Sequence, residues 1–240
     1  MKHINLIIGN LIKWFGYQVG RTFRFPQCEA DLIGIGFALL NASKKTKLIR
    51  VIQIGAFDGE LGDPLKKHLG KSGIYAVLIE PQTVPYEKLK NKYSALSNVE
   101  TKNVAIASES GEISMWAPLK NEGSPFASIS RKHANNFGKS RDAFKEIKVQ
   151  AVTPNDLLAS LAWDSVDLLQ VDTEGYDWAL IRMFFDLGIE PSVINFERIH
   201  LDKPDSQESL ALLKKRGYSI IDTEYDRFAY KDTLLEWPKL

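Results

Sequence analysis

The sequence has few of the features that mark secreted, membrane-spanning or nucleic-acid-binding proteins. Its single cysteine, Cys28, cannot form a disulfide within the chain, which is typical of a reducing compartment and predicts a cytoplasmic location. No apolar run reaches the roughly 18 residues that a membrane span needs. The formal net charge is only +1, so the overall charge does not predict a nucleic-acid partner.

Residues 1–47 are predicted to form an N-terminal helical extension ahead of a main domain over residues 48–240. Apolar residues recur at helical spacing between Ile4 and Phe15 and form one face. This face either packs on the domain, packs on a second subunit to give a homodimer, or lies on a membrane surface without crossing it. A second apolar helix is expected over Asp31 to Ala42, and "SKKTK" is typical of a solvated linker.

From Leu48 onward, strand-like and helix-like segments alternate, which predicts a parallel sheet covered by helices on both faces. One helix is expected after Asp63 as its N-cap and Pro64 at its first position. "VETKNVAIA" is predicted as one strand, and "YSIIDTEYDRFAYKD" as a closing antiparallel hairpin. Residues 119–146 lack a clear period, which indicates a functional loop or lid. Ligands of such sheets bind beyond the carboxyl ends of the strands, so the residues that end each strand are the candidates.

The first strand ends in "GAFDG", residues 55–59, a turn in which Gly55 and Gly59 permit close approach of the backbone to a ligand. A dinucleotide site would need glycines where this chain has Phe57 and Glu60. Phe57 and Glu60 would crowd a pyrophosphate, and Glu60 would repel it. The turn therefore suits a ligand that has no phosphates at this point.

The second strand ends at Glu80, which lies 21 residues after Gly59. That is near the distance expected for a carboxylate that accepts hydrogen bonds from both ribose hydroxyls. The small residues of "NVAIA", which begins at Asn103, could flank an adenine. A nucleoside without phosphates fits this set, and S-adenosylmethionine is such a ligand.

Acidic residues also end two later strands. "VDLLQVDTEGYD" places Asp172 and Glu174 at the carboxyl end of an apolar strand, and "INFERIHL" brings Glu197 and His200 to the same rim. Such a group suits capture of a cation, a substrate hydroxyl or a divalent metal. A structural role for the acids at a helix N-terminus is the alternative.

These motifs resemble those of the FkbM-type, class I S-adenosylmethionine-dependent methyltransferases, over about Leu48 to Tyr230. "VIQIGAFDG" is similar to the family's V-x-D-V-G-A-N-x-G, and "VDLLQVDTEGYD" to its I-D-L-L-K-I-D-x-E-G-x-E. The chain departs at Gln53, where an acid that holds the methionine end of the cofactor is usual, and Asp58 could compensate. The resemblance implies a Rossmann-like fold with a seven-stranded, mostly parallel sheet.

The resemblance further implies O-methylation of a small acceptor rich in hydroxyl groups, such as a sugar, a glycan or a polyketide-like natural product. The residues expected to bind the cofactor are Gln53, Gly55, Ala56, Asp58, Gly59, Glu80, Pro81, Asn103, Val104, Ala105 and Asp172.

A sugar hydroxyl is a weak nucleophile, so a catalytic base is expected. Glu174 and His200 rank first as the base, and Glu197 follows. Asp172 is assigned to the cofactor or to a divalent metal. A metal is one option, although no set with typical ligand spacing is evident in the sequence.

The long loop is expected to cover the acceptor. Ser128 could hydrogen-bond its hydroxyls, while Arg131 and Lys132 could meet an acidic group, which would suit an anionic sugar or a lipid-linked glycan. A solvated charged loop is the alternative. Two other functions remain open: a nucleoside-binding scaffold without catalysis, and an NAD-type oxidoreductase, which the residues at positions 57 and 60 disfavour.

Overall fold

The computed structural model describes residues 29–43, 48–119, 123–129 and 144–235. The predicted helix between Ile4 and Phe15, Cys28, and the side chains of Arg131 and Lys132 lie outside these ranges. The strands are β1 (Ile49–Ile54), β2 (Ile74–Ile79), β3 (Val99–Lys102), β4 (Ala105–Ile106), β5 (Gly111–Pro118), β6 (Phe144–Val152), β7 (Leu168–Val171), β8 (Val193–Glu197), β9 (Tyr218–Asp222) and β10 (Asp226–Lys231). The helices are α1 (Glu29–Ala42), α2 (Thr83–Tyr93), α3 (Pro154–Leu161), α4 (Asp177–Asp186), α5 (Lys203–Lys215) and a 3₁₀ turn, Asp232–Leu235.

The main sheet has seven strands in the order β3-β2-β1-β7-β8-β10-β9. The pairs from β3 to β8 are parallel, and β10 lies antiparallel between β8 and β9. This order confirms the predicted Rossmann-like fold, including the closing hairpin. The strand order reverses between β1 and β7, which makes that edge the switch point where ligands bind in open α/β sheets.

Helices cover both faces of this sheet because successive side chains of its buried strands point to opposite sides. On β1, Val51 faces a core that includes side chains of α1 and α2. Its neighbour Ile52 faces a second core, formed with α3, α4 and α5. Both side chains are fully buried, as expected for a strand near the middle of a parallel sheet.

Helix α1 packs on the main sheet rather than standing apart from it. Ile33 and Leu40 are buried in the core that β1 and β8 share. A Cβ at Gly36 would lie 3.0 Å from a methyl carbon of Val193, so glycine permits the helix to approach β8 closely. The domain boundary at residue 47 stays a prediction. None of the helices in the described ranges is long and apolar enough to cross a membrane.

The prediction of one strand over "VETKNVAIA" is wrong in a way that matters for the site. The segment splits into β3, in the main sheet, and β4, which pairs with β6 in a separate three-stranded sheet of order β4-β6-β5. Asn103 lies at the break, where its side-chain amide donates to the carbonyls of Glu80 and Pro81 at 2.9 and 3.0 Å. The small sheet stands over the switch-point edge and supplies one wall of a cavity there.

The helix predicted to begin at Asp63 is also not formed. Residues 60–73 run through bends and turns, with positive φ angles at Gly62, Gly70 and Gly73. The carboxylate of Asp63 does cap a backbone N–H, that of Leu65 at 2.8 Å, but only a single turn follows. Glycines in left-handed conformations end the segment before a helix can propagate.

Candidate functional site

A cavity lies at the carboxyl ends of β1, β2 and β7, with a volume of about 840 Å³ including the solvent at its mouth. Part of its wall is apolar and comes from the small sheet and the nearby loop, through Ala105, Ile106, Met115, Ala127 and Ile129. The predicted residues that line it are Gln53, Gly55, Ala56, Glu80, Pro81, Ala105, Asp172 and Glu174.

Glu80 is held by the backbone at the end of β2. Its Oε2 accepts a hydrogen bond from the N–H of Phe57 at 3.0 Å, and Oε1 accepts from the N–H of Gln82 at 2.8 Å. The side chain is 3% exposed, and this burial raises the pKa of its carboxyl to about 7. A carboxylate has about four acceptor positions, so the two backbone bonds leave room for a ligand donor in the cavity.

The two glycines of the first turn are required by packing within the protein. A Cβ on Gly55, whose φ is +82°, would lie 1.7 Å from the carbonyl oxygen of Asp172. A Cβ on Gly59 would lie 2.8 Å from the ring of Tyr93 and 2.9 Å from Leu89. These contacts, rather than contact with a ligand, explain why small residues occupy both positions.

Four predicted cofactor residues lie outside the cavity lining: Asp58, Gly59, Asn103 and Val104. Asp58 Oδ1 accepts from the backbone N–H groups of Glu60 and Leu61 at 2.9 and 3.1 Å, which shapes the turn. Asn103 joins the chain to the end of β2, and Val104 packs against the core on the α3–α5 face. In the structure these four residues contact other parts of the protein rather than the cavity.

Asp172 lines the cavity and is exposed there. Desolvation of its carboxyl by the surrounding protein raises its pKa well above the usual range, and the charges of Asp177, Glu174, Asp226 and Glu80 raise it further. A positively charged group in the cavity would relieve that repulsion.

Glu174, Glu197 and His200 come together beyond the ends of β7 and β8. His200 Nε2 lies 3.4 Å from Glu174 Oε2 and 3.6 Å from Glu197 Oε1. One ligand atom from each residue falls within 4.8 Å of the others, a set that could also hold a divalent cation. We call these three residues the rim triad. Of the three, Glu174 lines the cavity.

Several acidic residues lie near the rim triad. Burial raises the pKa of Glu197 to about 10, with further contributions from the charges of Asp172, Asp177, Glu174 and Asp226. Glu197 therefore keeps its proton at neutral pH and is a poor base there.

Asp177 was not predicted as a site residue, yet it braces the turn that carries Glu174. It is fully buried, and its carboxylate accepts from the N–H groups of Thr173 and Gly175 at 3.1 and 3.0 Å. Glu174 itself has a φ of +55°, a conformation that side-chain-bearing residues rarely adopt. An acid two residues after a glycine turn is the sequence signal that could have identified this brace.

Ser128 is buried against the same turn. Its hydroxyl donates to the carbonyl of Glu174 at 2.8 Å, and its backbone pairs with Trp116 on β5. The side chain thus ties the loop after β5 to the rim and does not line the cavity. Arg131 and Lys132, expected to bind the acceptor, fall in the part of the loop that is not described.

The side-chain oxygen of Gln53 indicates what kind of group the cavity can bind. It is 2% exposed, lines the cavity, and its Oε1 has no hydrogen-bond partner among the described residues. Buried acceptors are usually paired, so a water molecule or a ligand donor is expected at this point. With Glu80 and Asp172, Gln53 forms an acceptor-rich lining that fits the ribose and the cationic amino-acid part of S-adenosylmethionine.

The sequence matches a methyltransferase family model over more than half of its length. A family model described as the methyltransferase FkbM domain matches residues 53–220. No curated protein sequence shows significant similarity to the chain.

Similar solved structures include the METTL16 MTase domain, with 14% identity and a TM-score of 0.49 over 94% of this chain and 77% of that chain. The human methyltransferase 10 domain containing protein has 12% identity and a TM-score of 0.45, over 96% of this chain and 97% of that chain. The N-terminal domain of human METTL16 in complex with SAH has 14% identity and a TM-score of 0.47, over 92% and 78%.

The family match extends over most of the main domain and contains both motifs that end β1 and β7. The strand order of the main sheet and the position of the cavity agree with it. The chain therefore belongs to the FkbM family of methyltransferases.

Proposed function

We propose that the protein transfers a methyl group from S-adenosylmethionine to a hydroxyl of a small acceptor, namely a sugar, a glycan or a related natural product. The observation that carries this proposal is the rim triad, a histidine and two carboxylates gathered beside the cavity at the switch point. A hydroxyl is a weak nucleophile that benefits from such a base, whereas a scaffold that only binds a nucleoside does not need one.

The hydrogen-bond acceptors that line the cavity indicate where the cofactor binds. Glu80 receives the ribose hydroxyls, Ala105 and Ile106 supply an apolar surface for the adenine, and Asp172 faces the positive charge. When bound, S-adenosylmethionine supplies a methyl group already activated by its sulfonium. The protein therefore has to align the acceptor oxygen and exclude water, and such alignment can contribute roughly 7–11 kcal/mol.

We assign Glu174 as the residue that accepts the hydroxyl proton, because it is the triad member that lines the cavity. His200, 3.4 Å behind it, holds the carboxylate in position. Glu197 helps to hold this arrangement but does not remove the proton, because its pKa of about 10 keeps it protonated at neutral pH.

The test measures release of S-adenosylhomocysteine with a panel of sugars, uronic acids and polyketide alcohols. With an active acceptor, Glu174→Gln should lower kcat by about 10²- to 10⁴-fold, and His200→Asn by less, while affinity for S-adenosylhomocysteine stays within threefold. Glu112→Gln, on the exposed edge of β5, serves as the matched control.

Two outcomes would change the assignment. A larger loss with His200→Asn than with Glu174→Gln would make the histidine the base. Activity that disappears with EDTA and returns with Mg²⁺ or Mn²⁺ would assign the rim triad to a cation. Full activity in both variants without a metal would contradict the proposal that the triad takes part in catalysis.

A further inference from the structure

One corner of the cavity holds a pair of side chains, Gln53 and Asp63, for which the proposed function names no ligand group. Gln53 lies near the end of β1, and Asp63 belongs to the irregular segment that follows the first turn. Gln53 Nε2 donates to Asp63 Oδ1 at 3.1 Å, and both residues line the cavity. The donor side of the Gln53 amide is thus used inside the protein, while its acceptor, Oε1, is buried and has no hydrogen-bond partner among the described residues.

The carboxylate of Asp63 is held rigidly. Oδ1 also accepts from the N–H of Leu65 at 2.8 Å, and Oδ2 lies 3.4 Å from the hydroxyl of Tyr93. Burial raises the pKa of Asp63, and the positive charge of Lys92 offsets only part of that rise. Lys92 lies nearby, but its ammonium pairs with Glu60 at 2.8 Å and donates to the carbonyl of Gly59.

This corner therefore offers two kinds of hydrogen-bond acceptor to a ligand: the amide oxygen of Gln53 and the carboxylate of Asp63. A ligand group that suits it carries positive charge and several N–H donors, and a primary ammonium has three donors and no acceptor. Asp58, the compensating acid suggested by the sequence, does not contribute, because it lies outside the cavity lining and its Oδ1 is used within the turn.

We propose that Gln53 and Asp63 together bind the α-ammonium group of the methionine portion of the cofactor, with Asp63 supplying the negative charge. The inference rests on the proposed function for the identity of the ligand. It assigns a binding role to Asp63, a residue outside the sequence motifs, and it accounts for a glutamine at position 53, whose amide orients the carboxylate and offers its own oxygen to the same ammonium.

The experiment is calorimetric titration of the full-length protein with two ligands. S-adenosylhomocysteine carries the amino-acid group, and 5′-methylthioadenosine has the same nucleoside without it. Asp63→Asn keeps the oxygen that Gln53 and Leu65 use and removes the charge. It should weaken binding of S-adenosylhomocysteine roughly 10- to 150-fold, the value of one charge-assisted hydrogen bond, and change the affinity for 5′-methylthioadenosine by less than threefold.

Two further variants sharpen the result. The double variant Gln53→Glu with Asp63→Asn moves the charge to the neighbouring side chain and should recover most of the lost affinity. Asp186→Asn, which removes an exposed acid at the end of α4, is the matched control and should change neither affinity.

Each alternative result has a distinct meaning. Equal weakening of both ligands by Asp63→Asn, or no weakening of either, would overturn the role of Asp63 while leaving the proposed function intact. A selective loss with Asp58→Asn instead would move the charge to that residue and also overturn the inference. If the wild-type protein binds neither ligand, the proposed cofactor is itself wrong and the inference fails with it.

Discussion

Glu80 accepts hydrogen bonds from two backbone N–H groups and is proposed to bind the ribose. Replacing it tests the structural role and the binding role separately. Its oxygens accept from the N–H groups of Phe57 and Gln82, and the side chain is 3% exposed. Glu80→Gln keeps one carbonyl oxygen and turns an amide NH₂ toward the other N–H. One buried donor then loses its acceptor, which should lower the free energy of unfolding by about 1–3 kcal/mol.

The effect on ligand binding should be separable from this loss of stability. An ionised Glu80 can accept from both ribose hydroxyls, whereas the amide can accept from only one. Losing one hydrogen bond to a charged acceptor costs about 1.5–3 kcal/mol, so affinity for 5′-methylthioadenosine should fall roughly 10- to 150-fold at pH 8.

The pH dependence supplies an independent signature of the same contact. Because burial raises the pKa of Glu80 to about 7 and the ligand prefers the ionised form, binding must release a proton below that pH. The wild-type affinity should therefore fall about tenfold between pH 8 and pH 6, and the Glu80→Gln variant should lack this step.

The assay is calorimetry at pH 6 and pH 8, with urea unfolding of the same samples and Glu112→Gln as control. If the variant is less stable but binds the nucleoside as the wild type does at both pH values, Glu80 is only a structural acceptor. The assignment of the ribose to the end of β2 would then be refuted.

Two further predictions concern stability. Glu197 has a pKa of about 10 in the folded state, whereas an unfolded chain releases this proton near pH 4.5. The free energy of unfolding should therefore fall as pH rises between these values, by at most about 1.4 kcal/mol per pH unit. Glu197→Gln should flatten this slope in urea titrations from pH 6 to 9, and an unchanged slope would show that the carboxyl is not protonated in the folded state. Gly55→Ala should lower the free energy of unfolding by about 2–5 kcal/mol, because the added Cβ would lie 1.7 Å from the carbonyl oxygen of Asp172. Gly62→Ala, whose Cβ would have no atom within 4 Å, should lower it by only about 1–2 kcal/mol. Equal losses would show that backbone conformation alone explains both effects.

The sequence predicted the main sheet well because each of its elements has a local signature. Apolar runs of strand length alternate with amphipathic stretches, and the parallel connections then leave few arrangements. The rim triad followed from the same logic, because β7 and β8 are parallel neighbours whose carboxyl ends meet at one edge. Glu174, Glu197 and His200 could therefore be placed together before their distances were known.

One error arises from contacts between segments that are distant in sequence. The small sheet depends on pairing β4 with β6, whose residues Ala105 and Ala151 are adjacent only in the folded chain. Nothing within "VETKNVAIA" indicates that its second half leaves the main sheet.

Local turn chemistry also gave a wrong prediction for the first loop. Asp63 followed by Pro64 is a genuine capping signal, but it serves a single turn, and the turn places the carboxylate beside Gln53. Asp58, which lies within the first motif, is predicted to compensate for the acid missing at position 53, and in the structure it lies outside the cavity lining. The reach of a side chain into a cavity depends on the path of the loop, which short-range patterns do not specify.

The loop after β5 is closed at both ends by the architecture. Pro118 pairs with Phe144 where β5 and β6 separate, and the bridge between Trp116 and Ser128 pins the first part of the loop to the rim. Ser128 and Phe144 are therefore both anchored by backbone pairing, one beside the turn that carries Glu174 and the other at the end of the small sheet. Under the proposed function, substitutions at residues 130–143 leave both anchor points unchanged, so a library confined to them would test whether this segment selects the acceptor.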